Sequence, residues 1–189
     1  SHEALPLENS DLARLEQVEL QLFNKSFRSR VEMCMMSHVL FPKIDPDFPA
    51  SLSEKFIQQI LKTECRFRGL VITDDLGMKA LTKNWSTGEI ALHALKAGND
   101  LLLYCNEPEA PQIALEALNA ANGSLEKTRL ESSYKKILQF KSNKIKNPDP
   151  LPLKEALEMI GNDHHKKVAE AIATGIIPEG LFSEKEEAP

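Results

Sequence analysis

The sequence predicts an α/β protein built on parallel strands, and three observations carry that prediction. Short apolar runs occupy residues 31–37, 69–73 and 100–105. None alternates apolar with polar side chains, and near-continuous apolar character is what strands covered on both faces show. Stretches with helical spacing separate the runs, so helix and strand alternate as βα repetition requires. Right-handed crossovers turn such repeats into a barrel or a doubly wound sheet.

Taken in order, the first helix follows Asn9 or Ser10 as N-cap, with Leu12, Leu15, Leu22, Phe23 and Phe27 as its buried side and Glu16, Glu19 and Lys25 as its wet side. Ser51-Leu52-Ser53-Glu54 has capping-box spacing, and Phe56, Ile57, Ile60 and Leu61 follow on one face. Thr87 caps a helix bearing Ile90, Ala91 and Ala94, which Gly98 stops. Pro108 suits the first turn of the next, with Ile113, Ala117 and Leu118 as its buried stripe. Leu130, Tyr134, Ile137 and Leu138 mark one more after Asn122-Gly123. The expected organisation is a compact part over 1–141, a Pro-rich linker at 142–152, and a helical appendage with a loose acidic tail over 153–189.

Composition narrows the function. With 42% hydrophobic and 27% charged residues the chain is globular, and no apolar run reaches the ~20 residues that span a bilayer, so no membrane association is expected. A net charge of −5 argues against nucleic acid, whose binders carry a basic stripe. Cys34, Cys65 and Cys105 read as reduced core thiols, and their spacing fits no zinc site. The tract His164-His165-Lys166-Lys167 reads as a solvated helix face, and the methionines at 33, 35, 36 and 78 as core or rim packing.

In α/β folds functional groups collect where strands end. His38 follows the first strand, Asp74-Asp75 closes the second, and Asn106-Glu107 closes the third. An acid pair at the end of Val71-Ile72-Thr73 places at least one carboxylate at a site mouth, as a nucleophile or as a Mg²⁺ ligand, unless one of the two caps the following turn. His38 is either a site residue or a buried histidine with satisfied nitrogens.

Several motifs then occur in one order: Ser1-His2-Glu3-Ala4-Leu5-Pro6, Met35-Met36-Ser37-His38-Val39, Phe41-Pro42-Lys43-Ile44-Asp45, Pro49-Ala50-Ser51-Leu52-Ser53, Phe67-Arg68-Gly69-Leu70-Val71-Ile72-Thr73-Asp74-Asp75-Leu76-Gly77-Met78 and Ala97-Gly98-Asn99-Asp100. Together they resemble family 3 glycoside hydrolases, and among these the bacterial β-N-acetylhexosaminidases of peptidoglycan recycling. The resemblance implies the C-terminal part of a TIM-like (β/α)8 barrel, with three parallel strands and their helices. It also implies retaining removal of terminal β-linked N-acetylglucosamine, including from muropeptides, with no metal and no organic cofactor. In that family the first Asp of the motif is the nucleophile, which lands on Asp74. The acid/base histidine of an Asp-Ser-His loop lands on His2. His38, Met35 and Asp75 are then expected to bind substrate. A histidine of ordinary pKa can protonate a leaving oxygen near neutral pH, and a retaining reaction needs that second group beside the carboxylate.

The family's upstream site residues have no counterpart here, so the chain is expected to be truncated, with the N-terminal part of the same barrel as its natural partner and no activity alone. A non-catalytic sugar- or protein-binding fragment is the competing reading. A Mg²⁺-dependent phosphotransfer site ranks third, because no Gly-rich phosphate loop accompanies the acid pair. Free thiols and the recycling role of the family point to the cytoplasm.

Overall fold

Strands β1 (Met33–Met36), β2 (Leu70–Asp75) and β3 (Leu101–Leu103) form one sheet in that order, and both pairings are parallel. The α/β class with three parallel strands is therefore the fold, as expected. The computed structural model describes residues 4–121, 123, 125–146, 149–178 and 180–181. The chain divides into two compact units, Ser1–Lys144 and Ile145–Pro189. The second contains helices α7 (Leu153–Met159) and α8 (Asp163–Thr174); the acidic tail lies outside the described residues.

Register begins at a glycine. Met33 pairs with Leu70, and the Leu70 N–H bonds the Glu32 carbonyl at 2.9 Å. A Cβ on Gly69 would lie 2.3 Å from that same carbonyl oxygen, so only a bare backbone lets β2 meet β1 here. At the other pairing the ladder is irregular between Ile72 and Asp75, and the Thr73 hydroxyl accepts the Leu103 N–H at 3.0 Å. A side chain thus replaces a missing rung.

Two helices replace the single one expected before β1. Helix α1 (Leu12–Gln17) is capped by Asp11, whose Oδ1 accepts the Arg14 N–H, while Ser10 bonds Glu8 instead. The chain leaves helical geometry at Val18 and resumes as α2 (Glu19–Arg28). That break re-aims the second segment: Leu20 and Phe27 pack on the core, and Leu22 and Phe23 face solvent.

The segment Lys55–Glu64 is a π-helix, with bonds such as Cys65 N–H to Ile60 O at 2.8 Å. Phe56, Ile57, Ile60 and Leu61 are its buried side, as their spacing suggests. Its cap differs from the expectation. Ser53 accepts the Phe56 N–H and donates to Asp45 Oδ2 at 2.6 Å, while Ser51 sits in a preceding 3-10 turn, Ala50–Leu52. After α3 (Lys79–Thr82), helix α4 (Thr87–Ala97) carries a full capping box one residue earlier than expected, Ser86 with Glu89. It ends at Gly98, whose φ of 116° is the left-handed stop foreseen. Helix α5 (Ala110–Ala120) has Pro111 rather than Pro108 in its first turn, and buries Ala110 and Ala114 while Ile113 is exposed. Small residues form its packed side because α4 lies close against it: a Cβ on Gly88 would stand 2.6 Å from the Ala117 Cβ.

One hydrophobic cluster joins Cys34, Met36 and Val71 to Leu15 and the buried side of the π-helix; another gathers Leu52, Leu76, Leu81, Ile90 and Ala94. Helix α6 (Lys127–Lys144) is fastened by polar groups. Arg129 donates to the carbonyls of Leu95 and Asn99, Ser133 donates to Asp100 Oδ1, and Lys136 lies 3.8 Å from Asp100 Oδ2. Buried Asp100 also accepts the Val71 N–H at 3.0 Å, so one carboxylate ties α6 to the sheet. No described helix is long and apolar enough to cross a membrane. Cys34 is buried, but Cys105, expected in the core, is exposed, because β3 ends at Leu103 and the chain has already left the sheet.

Candidate active site

Strand β2 runs through both aspartates, and its pleat sends them to opposite faces. Val71, Thr73 and Asp75 point to the buried side with the helices. Asp74 shares the other face with Ile72, which pairs with Met35 of β1, and Met35 is exposed there. Asp74 and Met35 thus lie on one open sheet face at its carboxyl edge.

The two carboxylates have different surroundings. Among the described residues, Asp74 accepts a single hydrogen bond, at Oδ1 from the Asp75 N–H at 2.8 Å, and is half-buried. Asp75 is 6% exposed, and its oxygens are taken up by the Gly77 N–H at 3.0 Å, the Cys105 N–H at 3.1 Å and Asn106 Nδ2 at 3.0 Å. Asp75 therefore knots the exit of β2 to the exit of β3, on the face opposite Asp74. This is the capping alternative left open in the sequence. Tyr104 beside it has its phenol pushed up to about 12, by burial first and by the Asp75 charge second.

His38 is also placed within the wall rather than on its surface. It is 2% exposed, with Nδ1 2.7 Å from Ser51 Oγ and Nε2 2.9 Å from the Asp75 carbonyl. A carbonyl only accepts, so Nε2 carries the proton, and in the neutral ring Nδ1 accepts from the Ser51 hydroxyl. Burial lowers the His38 pKa below its ordinary 6.5, against the opposing pull of the Asp75 carbonyl, Asp74 and Asp75. Both ring nitrogens are thus engaged inside the protein, one with Ser51 and the other with the backbone behind Asp74.

His2, the expected acid/base, lies outside the described residues. His93 packs its ring against Phe48 at 4.7 Å, away from the acid pair. Among the described residues no three His, Cys, Asp or Glu side chains are grouped to hold a metal ion. A cleft of about 420 Å³ lined by Arg30, Arg66, Arg68 and Lys136 opens at the amino-terminal edge of the strands, the far side from Asp74.

Ser51 and Asn99, named in the sequence only as a capping position and as members of motifs, stand behind the acid pair. Asn99 donates from Nδ2 to the Ser51 and Ala94 carbonyls, both at 2.8 Å. The signal available was that a buried histidine needs two partners; which hydroxyl of Ser37, Ser51 and Ser53 would supply one is a tertiary matter.

Comparison with known proteins agrees with this geometry. Residues 1–140 match the model of the glycosyl hydrolase family 3 N-terminal domain. The Beta-hexosaminidase of Idiomarina loihiensis is 37% identical over 117 residues, 62% of this chain and 35% of that protein. That of Hydrogenovibrio crunogenus is 32% identical over 130 residues, 69% of this chain and 36% of that protein. This chain therefore spans about a third of the length of these curated relatives. A solved glycoside hydrolase family 3 beta-N-acetylglucosaminidase from Paenibacillus sp. str. FPU-7 superposes with a TM-score of 0.78 at 32% identity, covering 92% of this chain and 34% of that one. With the parallel sheet, the acid pair at its carboxyl edge and a family match over most of its length, the chain belongs to glycosyl hydrolase family 3.

Proposed function

We propose that this protein takes part in retaining hydrolysis of terminal β-linked N-acetylglucosamine, with Asp74 as nucleophile. The observation that carries the reading is the division of labour in the acid pair: Asp75 is bound on both oxygens, and Asp74 stands on the open face with one hydrogen bond among the described residues. Attack by an Asp74 oxygen on the anomeric carbon breaks the glycosidic C–O bond, and the leaving oxygen takes a proton from the acid/base, which we assign to His2. Water then attacks the glycosyl ester, gives its proton to His2, and frees Asp74. The names of the relatives support the sugar class, since they are Beta-hexosaminidases and a beta-N-acetylglucosaminidase.

Peptidoglycan fragments, including muropeptides, are the natural substrates in this proposal, on the strength of the resemblance of the motifs. The cytoplasm is the proposed compartment, supported by three free cysteines. The deciding experiment treats the full-length protein with a fluorinated N-acetylglucosaminide and maps the adduct. An ester on Asp74 is expected. An adduct on another residue removes Asp74 from the role, and turnover assisted by the substrate's own acetamido group, with no adduct at all, removes the covalent step.

A further inference from the structure

We infer that His38 is a positioning residue for this reaction: its Nε2–H holds the Asp75 carbonyl and so fixes the stretch of backbone that aims the Asp74 carboxylate. The inference rests on the reading of Asp74 as nucleophile.

The geometry behind it is a chain of buried groups. Asn99, fully buried, donates to the Ser51 carbonyl at 2.8 Å, and the Ser51 N–H bonds the Ser37 carbonyl at 3.1 Å. Ser51, held from both sides, presents its hydroxyl to His38 Nδ1, and the opposite nitrogen meets the Asp75 carbonyl. That carbonyl also receives the Met78 N–H at 3.1 Å, so both its lone pairs are filled. Asp75 is then fixed by carbonyl and carboxylate together, and its remaining donor, the N–H, bonds Asp74 Oδ1. Loss of the histidine contact leaves the Asp75 carbonyl with the Met78 N–H as its one remaining donor, which loosens the residue whose own N–H orients Asp74. An imidazole suits this task because it is a rigid plate with a donor on one edge and an acceptor on the other. Being buried, it acts through backbone rather than on the sugar.

Two substitutions separate the contacts. In His38→Gln the amide N–H reaches the place of Nε2, and the bond to Asp75 survives. In His38→Asn the amide ends near the place of Nδ1, so the Ser51 contact survives and the Asp75 contact is lost. In the full-length protein, His38→Asn should slow both kcat on an aryl N-acetylglucosaminide and covalent labelling of Asp74 on the order of 100-fold, the scale of a small misplacement of a reacting group. KM should stay near the wild-type value, and His38→Gln should recover most of the rate. Ser51→Ala, which deletes one hydroxyl from a turn whose backbone bonds remain, should lower the same rates more mildly, and reads the same network if His38→Asn does not fold. Wild-type labelling rates in both His38→Asn and Ser51→Ala overturn the inference, as does a raised KM with unchanged kcat, which would make His38 a sugar contact. Wild-type protein that turns over with its adduct elsewhere than Asp74 overturns instead the nucleophile reading on which the inference stands.

Discussion

Neighbouring aspartates on one strand point to opposite faces, so positions 74 and 75 do different work with the same side chain. Asp74→Ala should abolish turnover and leave thermal stability close to wild type, because one exposed-face hydrogen bond is lost. Asp75→Ala orphans two backbone N–H groups and an amide, and should cost about 3 kcal/mol or more in denaturant unfolding, since bonds to a charged acceptor contribute ~1.5–3 kcal/mol each. The histidines set an acid limb of stability. Burial lowers the pKa of His38 and His93 below 6.5, so the unfolded chain takes up protons that the folded chain refuses. Stability is full above that value and falls as pH drops through it. The exposed Glu8, Glu32 and Glu89, held below 4.5 chiefly by hydrogen bonds, add their loss only further down. Melting curves between pH 7 and 5 should show this decline, and His38→Gln should flatten it; a pH-independent melting temperature in wild type would refute the assignment. The acid pair itself was legible in the sequence, because it directly follows an apolar strand. Which member faces outward depends on where the strand ends, and β2 runs three residues further than its apolar letters.

Helix ends show what local chemistry can and cannot announce. Gly98 and the Ser86–Glu89 box are local signals and were readable to within a residue. The break at Val18 and the i→i+5 bonding of Lys55–Glu64 follow from how those segments meet the sheet, and a reading based on 3.6-residue periodicity assigns an ordinary helix to both. Arg30 and Arg66, just past α2 and the π-helix, have φ of 61° and 56°, where glycine is the usual residue. Arg30→Gly and Arg66→Gly should each relieve about 1–2 kcal/mol of left-handed strain, less the roughly 0.4–1 kcal/mol that glycine costs in unfolded-chain entropy, and raise the melting temperature slightly. A fall in both would mean that the guanidinium groups contribute more than the backbone loses. Gly69→Ala should do the reverse, wedging the first rung between β1 and β2 and lowering the unfolding midpoint.

Three parallel strands in the order β1-β2-β3 leave the outer edges of β1 and β3 without a strand partner among the described residues, apart from an isolated bridge between Leu7 and Leu40. The face bearing Asp74 also carries Met35, 54% exposed. The 189-residue polypeptide expressed by itself should therefore bind hydrophobic dyes, associate with rising concentration and melt over a broad range. A sharp, concentration-independent melt of a monomer would count against an open sheet. The same edges make the stability of this chain a question of mass action. Any polypeptide that pairs with β1 or β3 in the folded state and ignores the unfolded one adds RT ln(1 + [L]/Kd), about 2.7 kcal/mol at a hundredfold excess over Kd. The melting temperature should climb logarithmically with such a strand donor, so the affinity of an edge can be read from a thermometer.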